Sequence, residues 1–280
     1  MSIDSFAGGT PAELAALAVG VSLSGLAAGV VAGMLGVGGG IVLVPVLYQA
    51  LAFVGVDENV RMPIAVGTSL ATIIPTSIRS TLSHHQHGAV DWQVLRRWAW
   101  PTIVGVIAGT WLAGQVAGRG LTGVFAFGAA LLGLYMLLGR ENWRLGDSMP
   151  VDLRRWPLGF VNGCLSVMMG IGGGTFGVTV MTLYGATMHR AVATAAGFGL
   201  IIAVPGAIGM MIHGWNAGGL PAYSLGYVSL IGVGLIVPAT IVAAPWGVAL
   251  SHRLPRATLR LVFGIFLCLT AVRMGWAFLG

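Results

Sequence analysis

Gly33-Met34-Leu35-Gly36-Val37-Gly38-Gly39-Gly40, continued without a break by the apolar run 41–51, is the stretch on which the reading of this chain turns. Glycines clustered between long apolar segments open the backbone at membrane depth and leave N–H groups free to face a ligand. The pattern returns as Met168-Met169-Gly170-Ile171-Gly172-Gly173-Gly174. With the register shifted by 134 residues, Gly29, Met34 and Gly36 fall on Gly163, Met168 and Gly170. A motif present once per half indicates an internal duplication. Glycine-interrupted hydrophobic segments at matching positions of two halves point to the binding site of a membrane carrier.

Composition agrees with that setting. The 280 residues are 56% hydrophobic and 8% charged, with a mean hydropathy of +0.90, against about 25% charged in an ordinary soluble domain. The net charge of +6 does not indicate nucleic acid, because all 14 basic residues are arginines and nearly all lie between apolar segments, as orientation signals do. Cys164 and Cys268 stand alone in apolar stretches, which argues against a disulfide framework or a metal site, and no cofactor is expected. The N-terminus carries Asp4 and Glu13 and no basic region, so it does not read as a cleaved signal peptide.

Apolar segments cover about 12–35, 41–54, 62–82, 98–116 and 121–138, and then 156–171, 175–184, 191–212, 225–250 and 259–279. Crossing the hydrocarbon core takes roughly 20 helical residues, and the segments after each glycine run are shorter. Each run is therefore either the tip of a helical hairpin or a break within one crossing. The arginines favour hairpins: with hairpins, only Arg61, Arg119 and Arg273 of the 14 fall outside. The expected fold is an all-α polytopic membrane protein of two inverted repeats, each a glycine-tipped helical hairpin plus three transmembrane helices. Residues 1–139 form the first repeat, 140–155 a cytoplasmic connector and 156–280 the second repeat.

Half-helices beginning near Gly40 and Gly174 would offer N-termini, each equivalent to about half a positive charge, to an anion. The eight acidic residues all fall in the tail or in connecting loops, which disfavours a cation cargo. After each hairpin comes a related stretch, 65–69 (AVGTS) and 191–195 (AVATA), whose Thr68, Ser69 and Thr194 are hydroxyl donors for an oxyanion. The candidate substrate-binding set is Gly36, Gly38, Gly39, Gly40, Thr68, Ser69, Gly170, Gly172, Gly173, Gly174, Thr175 and Thr194, with Asn162 and Ser166 as weaker members. His84, His85 and His87 read as a solvated cytoplasmic loop or a landing place for anions rather than a metal tract. Gly172, Gly174 and Gly177 match G-x-G-x-x-G only formally, since no acidic residue follows about 20 positions on. Trp92, Trp98, Trp100, Trp215, Tyr223 and Tyr227 read as interfacial anchors.

Residues 33–41 (GMLGVGGGI), the 65–69 stretch, the histidine loop with 88–92 (GAVDW) and the second M-G-I-G-G-G at 169–174 together resemble the TauE/SafE family of sulfite and organosulfonate exporters. The resemblance spans nearly the whole chain. It implies transport of a sulfur oxyanion or short organosulfonate across a prokaryotic plasma membrane, and it lends no substrate role to His84, His85 or His87. The expected partners are a small anionic substrate and the lipid bilayer, with a homodimer as an assembly open to it and no nucleic acid. The alternative is an ion-coupled importer or a channel for another small anion such as a carboxylate. An intramembrane enzyme is disfavoured, because no nucleophile, base and acid converge at depth.

Overall fold

The computed structural model describes residues 11–36, 38–116, 118–139 and 145–279. Asp4 of the acidic tail, Val37 of the first glycine run and residues 140–144 of the connector lie outside them. The described chain forms helices α1 (Pro11–Leu35), α2 (Gly40–Phe53), α3 (Glu58–Gln86), α4 (Trp92–Gln115), α5 (Gly118–Leu138), α6 (Arg155–Met168), α7 (Gly174–Leu183), α8 (Met188–Gly214), α9 (Leu230–Arg253) and α10 (Arg256–Leu279). A short ribbon, β1 (Ser224–Leu225) paired antiparallel with β2 (Val228–Ser229), precedes α9.

Among the described residues, five helices are long and apolar enough to cross a bilayer: Ala15–Leu35, Gly118–Leu138, Met188–Gly214, Leu230–Arg253 and Arg260–Leu279. α3, at 29 residues, is long enough but carries hydroxyls along its length. α2 and α7 have only 14 and 10 residues, too few to span. Large apolar side chains cover the outside, among them Trp100, Ile107, Phe127, Val272 and Trp276, a surface suited to lipid rather than water. The molecule is an all-α polytopic membrane protein.

Helix pairing is repeated between the two halves of the chain. α1 packs along α9 and α6 along α4; α3 meets α8, α5 meets α10, and α3 against α9 is matched by α8 against α4. Exchanging the halves element by element maps these pairs onto themselves. Close approach is achieved with small residues, as helices do where burial in lipid gives no hydrophobic gain. A Cβ on Gly29 would stand 2.8 Å from the Thr240 carbonyl oxygen in α9, and one on its counterpart Gly163 would overlap the Thr102 carbonyl and lie 2.9 Å from Val106 N in α4.

The connector gathers with the α3–α4, α7–α8 and α9–α10 turns at one end of the molecule: the Leu145 amide donates to the Leu183 carbonyl (2.8 Å), Arg190 pairs with Asp91, and His189 reaches Ser251. This is the connector end. At the opposite, far end, Gly118 abuts Asn59, and Arg119 donates to Phe278.

Two sequence-based expectations need correction. His84 does not lie in a solvated loop: α3 continues to Gln86, and His84 is fully buried. Helix persistence through polar residues is paid back here by a buried partner, since His84 Nε2 donates to the Gly33 carbonyl at 3.0 Å. Trp98 is not an interfacial anchor either; it is buried, and its indole N–H donates to the Pro150 carbonyl at 3.2 Å. Trp92, Trp100, Trp215 and Tyr223 are exposed.

Candidate functional site

The two glycine runs end their helices in the left-handed conformation, which only glycine adopts without strain. Gly36 has φ 65°, Gly38 72° and Gly39 77°; Gly170 has 65° and Gly173 71°. Gly39 and Gly173 are the N-caps of α2 and α7, and neither helix start receives a side-chain cap. The chain therefore rises in α1 and returns in α2, with Gly36, Gly38 and Gly39 in the left-handed conformation between them; it does the same between α6 and α7.

Each tip is seated in the other half. A Cβ on Gly36 would overlap the carbonyl of Val192 in α8, and one on Gly170 would lie 3.0 Å from Val66 Cα in α3. Val66 and Val192 are the second residues of the two related stretches noted above. The tips also meet each other. A Cβ on Gly40 would overlap the Gly170 carbonyl oxygen and stand 2.9 Å from Ser69 Oγ, and the Ser69 hydroxyl donates to that carbonyl at 2.8 Å. The positive N-terminus of α2 thus faces a carbonyl from the C-terminal end of α6, which complements it. At the second tip the Gly172 carbonyl oxygen would lie 3.3 Å from a Cβ on Gly199. Gly174 opens α7, and beside it the Thr175 hydroxyl is buried without a hydrogen-bond partner. Asn162 Oδ1 and Ser166 Oγ on α6 are likewise buried and unpartnered.

Thr68 and Thr194 occupy equivalent places, but at the heads of helices rather than at the tips. Thr68 Oγ1 accepts the backbone N–H of Ser229, the N-cap of α9, at 2.9 Å. Thr194 Oγ1 accepts that of Asp91, the N-cap of α4, at 2.9 Å. Each hydroxyl retains its own hydrogen for donation.

Two cavities contain these threonines. The one at the connector end, about 510 Å³, is lined by Asp91, Arg97, Trp98, Met181, Arg190 and Thr194 among others. Arg190 pairs with Asp91 at 2.8 Å. The one at the far end, about 230 Å³, is lined by Leu17, Leu47, Val54, Thr68, Ser229 and Leu235 among others and is nearly all apolar. The two are counterparts: Met181 matches Leu47, Thr194 matches Thr68, and both cavities include the N-cap residue that the threonine holds.

A model of the family described as "Sulfite exporter TauE/SafE" matches residues 21–274, which take in both tips and both threonines. The chain belongs to the TauE/SafE family. Similar curated proteins carry the name "Probable membrane transporter protein". One from Haemophilus influenzae is 32% identical over 252 residues, covering 90% of this chain and 96% of that protein. One from Methanocaldococcus jannaschii is 26% identical, covering 88% and 93%. Another, from Bacillus subtilis, is 24% identical, covering 89% and 94%. No solved structure matches at comparable stringency. This TauE/SafE protein is a multi-pass membrane transporter.

Some residues of the site were not singled out from sequence. On α3, Thr72, Thr76 and Ser80 continue at every fourth position from Thr68 toward His84, and all five are buried. Such a ridge of polar residues facing a protein interior is a signal that spacing alone can give. Ser77 on the same helix is also buried and unpartnered; a Cβ on Gly199 would overlap its hydroxyl, so it stands beside Gly172 of the second tip. Arg97 and Arg190 are visible in the sequence only as orientation signals.

Proposed function

We propose that this transporter is a secondary carrier that exports small sulfur-containing anions, such as sulfite, sulfoacetate or other organosulfonates, across the plasma membrane by alternating access. The observation that carries the reading is the meeting of the two tips, where the Ser69 hydroxyl bridges to the Gly170 carbonyl beside the first residue of α2. The negative partner now facing the α2 N-terminus is a neutral carbonyl dipole. An anion's oxygens would take its place, held by backbone N–H groups and by the Ser69 hydroxyl, which then turns to donate to the anion. Membership of the TauE/SafE sulfite-exporter family supports the sulfite class.

Two repeats inserted in opposite orientations make this a two-sided site. The start of α1 and the end of α2 border the far-end cavity through Leu17 and Val54, while the connector and the end of α7 border the other through Val151 and Tyr184. That arrangement supports hairpins entering from opposite faces, with each cavity the mouth of one access state. Taking the arginine-rich connector end as cytoplasmic, an anion is attracted at that mouth by Arg97 and Arg190 and leaves through an apolar exit. An inside-negative potential of 100 mV favours that exit by about 2.3 kcal/mol per negative charge.

The test is counterflow in proteoliposomes. Internal unlabelled sulfite should trap external labelled sulfite, with saturation, and a sulfonate should compete while acetate does not. Protection by acetate alone would replace the sulfur anion with a carboxylate, and flux without saturation or counterflow would replace the carrier with a channel.

A further inference from the structure

Four of the six histidines come from three separate places in the chain and gather at the connector end. His252 of α9 is the hub: the His87 ring stacks on it at 4.4 Å with planes 13° apart, the His189 ring lies 5.8 Å away at 20°, and His84 meets it edge-on at 5.5 Å. Exposure falls along the series, from exposed His87 through half-buried His252 and His189 to His84 at 0%. His84 touches the first hairpin, since its Nε2 bonds to the Gly33 carbonyl in the last turn of α1.

The hydrogen positions follow from the partners. A carbonyl only accepts, so His84 carries its hydrogen on Nε2 and a lone pair on Nδ1, and that Nδ1 is buried with no hydrogen-bond partner. His252 Nε2 is in the same condition. His189 and His87 spend one nitrogen each on the Ser251 and Ser83 carbonyls, at 3.0 and 2.9 Å. These two unpartnered imidazole nitrogens are the positions at which a proton could be added, and because they are buried an added charge needs a counter-ion close by. Stacked rings turn their lone pairs side by side rather than toward one point, so chelation of a metal is a poor use of this geometry.

The surrounding charges decide what must accompany a proton. On α3 His85 is engaged by the Trp92 indole at 3.2 Å. α8 adds Arg190 and α9 adds Arg253, both cationic. The last turn of α1 has no charged residue, although its carbonyl end favours a cation. Asp91, at the head of α4, is already committed to Arg190 and to the amides of Gln93 and Val94. A positive charge added to the cluster therefore lacks a free carboxylate among these groups. Arg190, next in the chain to His189, lines the cavity at this end.

We infer that the His84–His87–His189–His252 cluster is a proton-binding site linked to anion binding at the connector-end mouth: a proton taken up there strengthens the hold on an oxyanion, and the anion in turn strengthens the hold on the proton. This rests on the carrier reading above. From His84 the path inward runs over Ser80, Thr81 and Ser77, three buried hydroxyls without partners, of which Ser77 stands beside Gly172. Linkage is reciprocal for any pair of ligands.

The probe is ethanesulfonate, a strong-acid anion whose charge is the same throughout the range tested. Calorimetric titration of the purified full-length protein at pH 6 and pH 8, in two buffers of unequal ionisation enthalpy, reads affinity and proton uptake together. The expected result is affinity higher at pH 6 by about fivefold or more, with about one proton taken up per anion. His252→Gln, at a half-buried position, and His84→Gln, whose amide can still donate to Gly33, should each bind as the parent does at pH 8 at both pH values and take up no proton. Affinity in the parent that does not change with pH, or a pH dependence that survives in both variants, overturns the linkage while leaving the carrier reading. Failure of ethanesulfonate and of sulfite to bind at either pH removes the carrier reading itself, and the linkage with it.

Discussion

Gly40→Ala separates a mechanistic role of the tip contact from a merely local one. Gly40 is the first residue of α2 and, unlike Gly38 and Gly39, does not have a positive φ, so alanine fits its backbone. In a helix alanine is intrinsically favoured over glycine by up to about 1 kcal/mol. Helix propensity alone therefore predicts a neutral or stabilised protein. The new Cβ, however, would overlap the Gly170 carbonyl oxygen and crowd Ser69 Oγ at 2.9 Å and Ile73 Cδ1 at 3.0 Å. Overpacking of this kind costs about 1–3 kcal/mol. The propensity gain is common to every conformation in which α2 is intact and cancels between them, whereas the clash falls only on the conformation in which the tips touch. That conformation should lose about 5–150-fold in relative population. Sulfite counterflow per molecule of inserted protein should fall accordingly, by at least about fivefold, while the variant elutes as a single species from size-exclusion chromatography. Gly234→Ala on α9 is the control, because nothing lies within 4 Å of its Cβ position; it should transport as the parent does. Parental flux in Gly40→Ala would refute the reasoning, since the tips would then tolerate separation without consequence for the cycle.

Thr68→Val and Thr194→Val keep shape but remove the acceptor for the amide of Ser229 or Asp91. Each should lower stability by about 1 kcal/mol, seen as an earlier thermal transition in the absence of any anion; unchanged transitions would show that the hydroxyls do not hold the helix heads. Ser69→Ala leaves the buried Gly170 carbonyl without its donor, at a cost of about 1–3 kcal/mol, and should reduce both thermal stability and sulfite flux. Arg190→Gln breaks an ion pair whose arginine side chain is 61% exposed, so stability should change by less than about 1 kcal/mol. Its half-saturating sulfite concentration should rise and become less sensitive to salt; an unaltered value would remove Arg190 from the anion mouth. Gly105→Leu would drive a side chain into the Phe160 carbonyl and part α4 from α6, abolishing a folded product, whereas Gly275→Leu, with nothing within 4 Å, should be recovered in normal yield.

The tips were legible because their cause is local: a left-handed reversal needs glycine, and glycine in an apolar setting stands out, all the more when it recurs in register. The short α2 and α7 were legible for the same reason, since 14 and 10 residues cannot span. The register also marked Thr68 and Thr194 as equivalent, but not what they bond, because each partner lies in the other half. The histidines failed for a related reason. His84, His85 and His87 look like a polar loop in isolation, and nothing near them in sequence announces His189 or His252, which share their end of the molecule only after three helices have packed. Trp98 was misread because an aromatic at the edge of an apolar segment is usually interfacial, and the connector that covers it comes from 52 residues further along.

The same pattern explains how the two halves hold together. Ser69 bonds Gly170, Thr68 bonds Ser229, Thr76 bonds Thr240, Thr194 bonds Asp91 and Arg119 bonds Phe278. In every one of these a residue before the connector meets one after it. α1 completes its packing on α9 and α6 on α4, so each half supplies the other's helix surface. A half expressed alone would leave Thr68 or Thr194 without its amide and a glycine-lined face without its helix. In the carrier proposed above, the tips would move against the opposite half rather than within their own, and the contact between Gly40 and Gly170 is the place where such a movement would be read.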